Sequence, residues 1–271
     1  MQKKLLSCKT IFSTLFFLLL SLLGGSLHAA LLAKTHTDAT TGMEFIHVPG
    51  GCYEMGNKWG GGSYTEYPAH EVCLGDFYIG KTEVTQGQWE KIMGDNPSYF
   101  KLGDNYPVES VSRPDIYKFL HQMNQQNARG FRLPTEAEWE YACRSGGKDQ
   151  EFCGGDSPDD YAWYEKNSDD SPHPVAQKKP NGLGLFDMSG NVWEFCSDIF
   201  ARNYYENSPK HNPVGAKSGR HVMKRGGSWG VNENFVRSVT RGRGSMEEKH
   251  YSTGFRVVFP AHVLKTSSVQ Q

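Results

Sequence analysis

From Met43 onward, short apolar runs alternate with glycine, and long amphipathic stretches are few. Phe45-Ile46-His47-Val48-Pro49 and Cys52-Tyr53-Glu54-Met55 read as two short strands turned by Gly50-Gly51. Phe77-Tyr78-Ile79 reads as a third, beyond a glycine-rich loop from Trp59 to Pro68. Three helices are marked by their caps. Thr85 opens one through Trp89 and Ile92, with Gln88 at the return position. Ser112, followed by Pro114 and Asp115, opens a second to about Asn127, and Thr135-Glu136-Ala137-Glu138 is a capping box ahead of a third. Beyond Arg144 the pattern predicts no helix, only turns and short strands at Leu185-Phe186, residues 192–195, 222–225 and 254–258. This is an α+β chain, low in regular secondary structure and ordered by core aromatics and local ties.

The first thirty residues have a different pattern. Lys3, Lys4 and Lys9 precede an apolar run from Ile11 to Leu23, and Ala29-Ala30 follows. That layout is a secretory signal peptide over residues 1–30. Thirteen residues at about 1.5 Å each give roughly 20 Å, too short for a hydrocarbon layer of about 30 Å. A periplasmic or secreted product, not membrane-spanning after cleavage, is expected. Residues 31–42 read as a flexible leader, 43–262 as the domain and 263–271 as a frayed tail. Removing the signal leaves 26 basic against 30 acidic groups. A surface so nearly balanced has no field for capturing nucleic acid.

Export also bears on the five remaining cysteines, because thiols outside the cytoplasm pair. Cys52 and Cys73 lie in separate extended runs, and a bridge across neighbouring strands is expected. A second, Cys143–Cys153, would close the loop holding Gly146-Gly147. Cys196 is then left over as a small buried hydrophobe. No C-x-x-C or His-x-x-x-His spacing points to zinc.

Four strings occur in order: Arg132-Leu133-Pro134-Thr135-Glu136-Ala137-Glu138-Trp139-Glu140-Tyr141, Gly190-Asn191-Val192-Trp193-Glu194, Arg225-Gly226-Gly227-Ser228-Trp229 and Gly254-Phe255-Arg256. Together they resemble the formylglycine-generating-enzyme (sulfatase-modifying-factor) domain, over about residues 43–259. The resemblance implies the variant C-type-lectin-like fold. Read physically, Arg132 is placed to pair with an acid of the following helix, Trp193 to plug the core, and Gly226-Gly227 to let two backbones approach.

The resemblance also implies chemistry. The family oxidises a peptide cysteine to formylglycine with O2 and a copper ion held by two cysteine thiolates. The matching positions here are Val231 and Val236, and no cysteine follows Cys196. Valine cannot ligate copper, so copper and the oxidase reaction are not expected. The family's calcium implies a site at Asp187 and Glu194 with the backbone carbonyls of Gly190 and Val192, a hard-oxygen set suited to Ca2+. A second family calcium site has Trp163 at its first ligand and is not carried over.

Around the vacated copper position, a ligand pocket is expected from Trp193, Ser228, Trp229, Asn232, Asn234, Arg237, Arg241 and Arg243. If extended, the three arginines share one face and could grip a small anionic ligand; pairing with nearby acids is the alternative. The expected function is a non-oxidase accessory or ligand-binding module whose partner is a protein or small anion. The alternative is a periplasmic enzyme of divergent chemistry, as in pyoverdine-maturation relatives. The scattered histidines 70, 121, 173, 211, 221 and 250 form no metal motif for it.

Overall fold

Each of the three expected helices forms behind its cap. Thr85, Ser112 and Thr135 each accept from the N3 backbone N–H while the N3 side chain bonds back to the cap, giving α1 (Gln86–Met93), α2 (Arg113–Gln126) and α3 (Glu136–Cys143). Such caps are each worth about 1 kcal/mol. The computed structural model describes residues 35–267, so the signal segment expected over 1–30 lies outside the described residues. A short strand, β1 (Thr35–Thr37), opens the described chain, and the described residues from Thr37 onward form one compact unit.

The expected leader is not loose throughout. Asp38 is buried and accepts from both Thr41 N–H (2.8 Å) and Thr41 Oγ1 (2.7 Å), tying a turn over residues 38–43. Two helices also appear beyond Arg144, where none was expected: α4 (Pro158–Tyr161) and α5 (His262–Ser267). The second replaces the start of the expected frayed tail.

The strands are β2 (Glu44–Val48), β3 (Gly51–Met55), β4 (His70–Leu74) and β5 (Phe77–Gly80), then β6 (Ala162–Trp163) and β7 (Ser189–Gly190). β8 (Trp193–Ile199), β9 (Val222–Arg225), β10 (Gly242–Gly244), β11 (Thr253–Phe255) and β12 (Val258–Pro260) complete the set. β5 pairs antiparallel with β2 and β12. The site-bearing sheet has the order β10-β9-β8-β11, with β8 and β11 parallel. β2 and β3 do not pair with each other. Instead β3 pairs with β4, because Gly50 brings the backbone against Leu74, where a Cβ would lie 2.5 Å from the Leu74 carbonyl oxygen.

Two further expectations change. Leu185-Phe186 is not a strand, and the run 254–258 divides into β11 and β12 at Arg256. Arg256 turns inward there. It is fully buried, bonding Glu194, the Gly80 carbonyl (2.8 Å) and the Phe186 carbonyl (2.8 Å).

One apolar cluster gathers α1, α2 and β11, with Trp89 stacked on Phe119 at 5.1 Å and Phe255 edge-on to both. A second joins α3 to β3, β4 and β8. All eight residues of α3 are buried, including three glutamates. Each glutamate meets arginine: Glu136 bonds Arg241 (2.7 Å), Glu138 bonds Arg132 (2.6 Å), and Glu140 bonds Arg225 (2.5 Å) and Arg144 (3.1 Å). Removing one partner from the fully buried pairs of Glu136 and Glu140 strands a buried charge at a cost of about 3–5 kcal/mol. Both expected disulfides, Cys52–Cys73 and Cys143–Cys153, are formed, and Cys196 is free and buried. Cys52 and Cys73 face each other directly in the β3–β4 register.

Candidate functional site

β9 ends in the glycine pair that delivers the site. Gly226 and Gly227 have φ of +94° and +76°, and a Cβ on Gly227 would sit 2.6 Å from the Phe235 carbonyl oxygen and Val236 Cγ1. Only glycine allows this crossing without strain. Ser228 and Trp229 follow at once, and Trp229 N–H donates to the Asn191 carbonyl (2.8 Å). On neighbouring β8, Glu194 points into the core. Trp193 is half-buried and does not plug the core as expected; it lines a cleft.

That cleft has a volume of about 350 Å³, with walls that include Trp193, Ser228, Trp229, Val231 and Tyr251. Its rim carries Glu165, Asp170, Lys224, Glu248 and His250. The aromatic wall continues outward: Trp229 lies 5.8 Å from Tyr251 and 5.6 Å from Phe100, and Tyr251 lies 5.8 Å from the exposed Tyr99. Lys224 bonds Glu248 at 2.6 Å. His250 bonds Ser252 Oγ at 2.8 Å rather than Ser228.

Of the eight pocket residues expected, the structure brings Trp193, Ser228 and Trp229 together in this cleft. Asn232 and Asn234 line a separate hollow with Tyr164 and Lys166. Asn232 caps the turn at 233–235 by accepting from Asn234 N–H. The arginine row does not form. Arg237 pairs with Glu66 (2.9 Å), Arg241 with Glu136, and Arg243 is exposed with its guanidinium 5.5 Å from the Phe200 ring. A turn at 238–239, closed by Thr240 N–H donating to the Arg237 carbonyl (3.1 Å), breaks the extended phase that would have aligned them. Arg237 and Arg241 thus follow the alternative reading, pairing with acids of the fold. The cleft's Glu165, Asp170, Lys224, Glu248, His250 and Tyr251 escaped the sequence reading, since they come from distant loops with no shared period.

The two positions matching the family's thiolates belong to one apolar cluster. Val236 is fully buried with Phe152, Ala162 and Tyr164, and Val231 packs against that cluster. Neither valine offers a donor atom to a soft metal.

The segment expected to hold calcium forms a tight acidic turn. Asp187 has φ of +57°, and Gly190 has φ of +79°, passing so close to Trp163 that a Cβ would be 2.2 Å from its carbonyl oxygen. Asp187 Oδ2 accepts from Ala176 N–H (2.7 Å), while Oδ1 is buried without a partner. Glu83, which the sequence reading passed over, joins them: it accepts from Val192 N–H (3.2 Å) and Asn191 Nδ2 (3.0 Å). Glu194 accepts from Trp139 Nε1 (2.8 Å) and from Arg256 (2.8 Å).

Burial, with mutual repulsion, raises Asp187 to about 6 and pushes Glu83 well above the usual carboxylate range. Three carboxylates thus surround one guanidinium. The orphan oxygen of Asp187 and this surplus of hard, negative donors fit a Ca2+ ion at the Asp187 end. Glu194 fits less well, since both its oxygens are already bonded.

A deep anchor of charge and aromatic rings, a glycine crossover and a loop-built cleft define the class. The sulfatase-modifying factor enzyme 1-like domain matches residues 31–261, and the chain belongs to that family. Among its relatives, chaperone protein LppX of Paenibacillus barcinonensis is 35% identical over 67% of this chain and 79% of its own length. The formylglycine-generating enzyme of Streptomyces coelicolor is 27% identical over 83% of this chain and 92% of its own length. Among solved structures, Treponema denticola variable protein 1 superposes with a TM-score of 0.77 at 28% identity, covering 83% of this chain and 98% of its own. The family and its fold, expected from the four strings, are thereby shown. No helix among the described residues is long and apolar enough to cross a membrane.

Proposed function

We propose that this protein is an exported, non-oxidase accessory member of the family that binds a ligand in the cleft beside Ser228 and Trp229. The observation that carries this reading is that valines, Val231 and Val236, stand in one apolar cluster at the two positions where family members hold thiolates. Further support comes from the cleft itself, which is walled by aromatic rings and built from loops on a charge-anchored scaffold. The name of the 35%-identical relative, a chaperone, favours an accessory role. Two disulfides favour a compartment outside the cytoplasm. The alternative of a divergent enzyme has less support, since His250 is engaged by Ser252 and no hydrogen bond among the described residues joins Ser228 to a base.

Incubation with a Cys-x-Pro-x-Arg peptide tests the first half of the proposal, with an unchanged peptide mass as the expected result. Conversion of the cysteine to its aldehyde overturns it.

Calcium at the Asp187 turn is part of the same proposal, supported by the unpartnered Asp187 Oδ1 and by the excess of carboxylate over guanidinium there. Metal analysis of the mature protein should return calcium and no copper. Dialysis against EGTA should lower the melting temperature, and an unchanged melting curve would remove calcium from the account.

A further inference from the structure

We infer that the group recognised in the cleft is an organic cation, an ammonium or guanidinium, held between the rings of Trp229 and Tyr251 and the carboxylates of Glu165 and Asp170. This deepens the reading of the cleft as a ligand site and rests on it.

Charge decides the sign of the ligand. Lys224 is the cleft's only lysine or arginine, and its ammonium is spent on Glu248 at 2.6 Å. Glu165 and Asp170 have no ion-pair partner among the described residues, and the adjacent Lys166 is drawn away to Asp159 at 2.9 Å. With that pair cancelled, the cleft carries two uncompensated negative charges. An anion entering it would meet repulsion from both and no guanidinium, because Arg237 and Arg241 are tied to glutamates and Arg243 is not part of the lining.

Ring chemistry points the same way. Aromatic faces attract cations, contributing about 0.5–1 kcal/mol when exposed and about 2 or more when desolvated. Trp229 and Tyr251 lie 5.8 Å apart with planes inclined by 31°, forming a corner rather than a closed stack. The third observation is a missing partner. Trp229 is 8% exposed, and its indole N–H is buried without an acceptor. A buried donor left unpaired costs about 1–3 kcal/mol. The nitrogen is shielded from solvent, so a ligand oxygen reaches it only where the ring turns toward the cleft. The cleft's volume, about 350 Å³, lies at the small end of ligand sites and suits one cationic group with its immediate flank.

Two sources offer this chemistry: a free alkylammonium and a basic side chain on a polypeptide. Titrations following tryptophan fluorescence, at low and moderate salt, separate them with choline and N-acetyl-lysine methylamide as cationic probes. Acetate and inorganic phosphate serve as anionic controls. Choline binding more tightly assigns a free ammonium, and the lysine amide binding more tightly assigns a polypeptide; either supports the inference.

The double variant Glu165→Gln, Asp170→Asn changes only exposed side chains. It should weaken cation binding roughly tenfold or more, a loss of about 1.4 kcal/mol, and flatten its salt dependence. Gly230→Trp blocks the cleft where a Cβ meets nothing within 4 Å, so it should abolish binding without unfolding the protein. Far-UV circular dichroism checks the fold of both variants.

The outcomes separate the two levels of the argument. Anions binding in a manner that Gly230→Trp blocks would leave the ligand cleft standing and overturn the cation assignment. So would cation binding indifferent to the double variant. Binding of any probe that Gly230→Trp leaves intact, or no binding at all, overturns both.

Discussion

Asp198 offers a direct test of how this scaffold holds its buried charge. It lies near the end of β8, is 2% exposed, and accepts from Glu136 N–H (2.8 Å) and Ser197 Oγ (3.2 Å). Burial raises its carboxyl to about 7, Glu136 and Glu138 push the same way, and the two hydrogen bonds pull back only in part. The folded state therefore holds a proton that the unfolded chain, titrating near 3.9, releases. Between about pH 4 and 7 the native protein binds more protons than the unfolded one, so stability falls as pH rises through that window.

From pH 5 to pH 8 the loss attributable to this one group is about 3 kcal/mol, taking 1.36 kcal/mol per pH unit over the two units below its folded value. Asp198→Asn keeps the shape and removes the titration. Urea unfolding of wild type and variant at pH 5 and pH 8 measures the difference. The variant should lose about 3 kcal/mol less stability between the two pH values than the wild type does. Equal pH dependence in the two proteins would refute the reasoning, because Asp198 would then be ionised in the fold at no cost.

Backbone and covalent ties give further tests. Gly227→Ala places a Cβ 2.6 Å from the Phe235 carbonyl oxygen at φ of +76°, and should cost about 1–3 kcal/mol in chemical denaturation. The same variant should displace Ser228 and Trp229 and so weaken cleft binding. Cys52→Ser with Cys73→Ser opens a bridge of sequence separation 21 and should lower stability by about 3 kcal/mol. Calorimetry under non-reducing conditions reads that loss.

Local signals in the chain were legible where one residue type answers one backbone need. Thr85, Ser112 and Thr135 cap helices because a short hydroxyl reaches N3, and each helix begins at the residue after its cap. Arg132 and Glu138, six apart, were readable as a strand-to-helix pair for the same reason. The arginines at 237, 241 and 243 were not readable. Their alternation has meaning only on a continuous strand, and the partners that claim two of them, Glu66 and Glu136, lie 171 and 105 residues away. The run 254–258 misled similarly: its five residues look continuous until Arg256 is drawn to Glu194, which no local period announces. The cleft's acids were invisible for a related reason, since exposed loop carboxylates carry no pattern until the fold brings residues 165–170 against 248–251.

This division between readable scaffold and unreadable cleft has a physical origin. Glu136, Glu140 and Glu194 are each fixed by a buried arginine, and those arginines also hold backbone carbonyls: Arg225 bonds the carbonyls of Ser238, Val239 and Thr240, and Arg256 those of Gly80 and Phe186. One guanidinium thus fixes several irregular segments at once, which ladder hydrogen bonds cannot do for chain outside a sheet. Substituting any of these residues strands a buried charge, so their identities are bound to the fold. Glu165, Asp170 and Tyr251 bear no such load. They sit on loops whose ends are already pinned, and exchanging them changes what the cleft attracts without loosening what holds it. A scaffold secured by buried ion pairs can in this way carry valine at 231 and 236 and still present a shaped, charged cleft bordered by Val231.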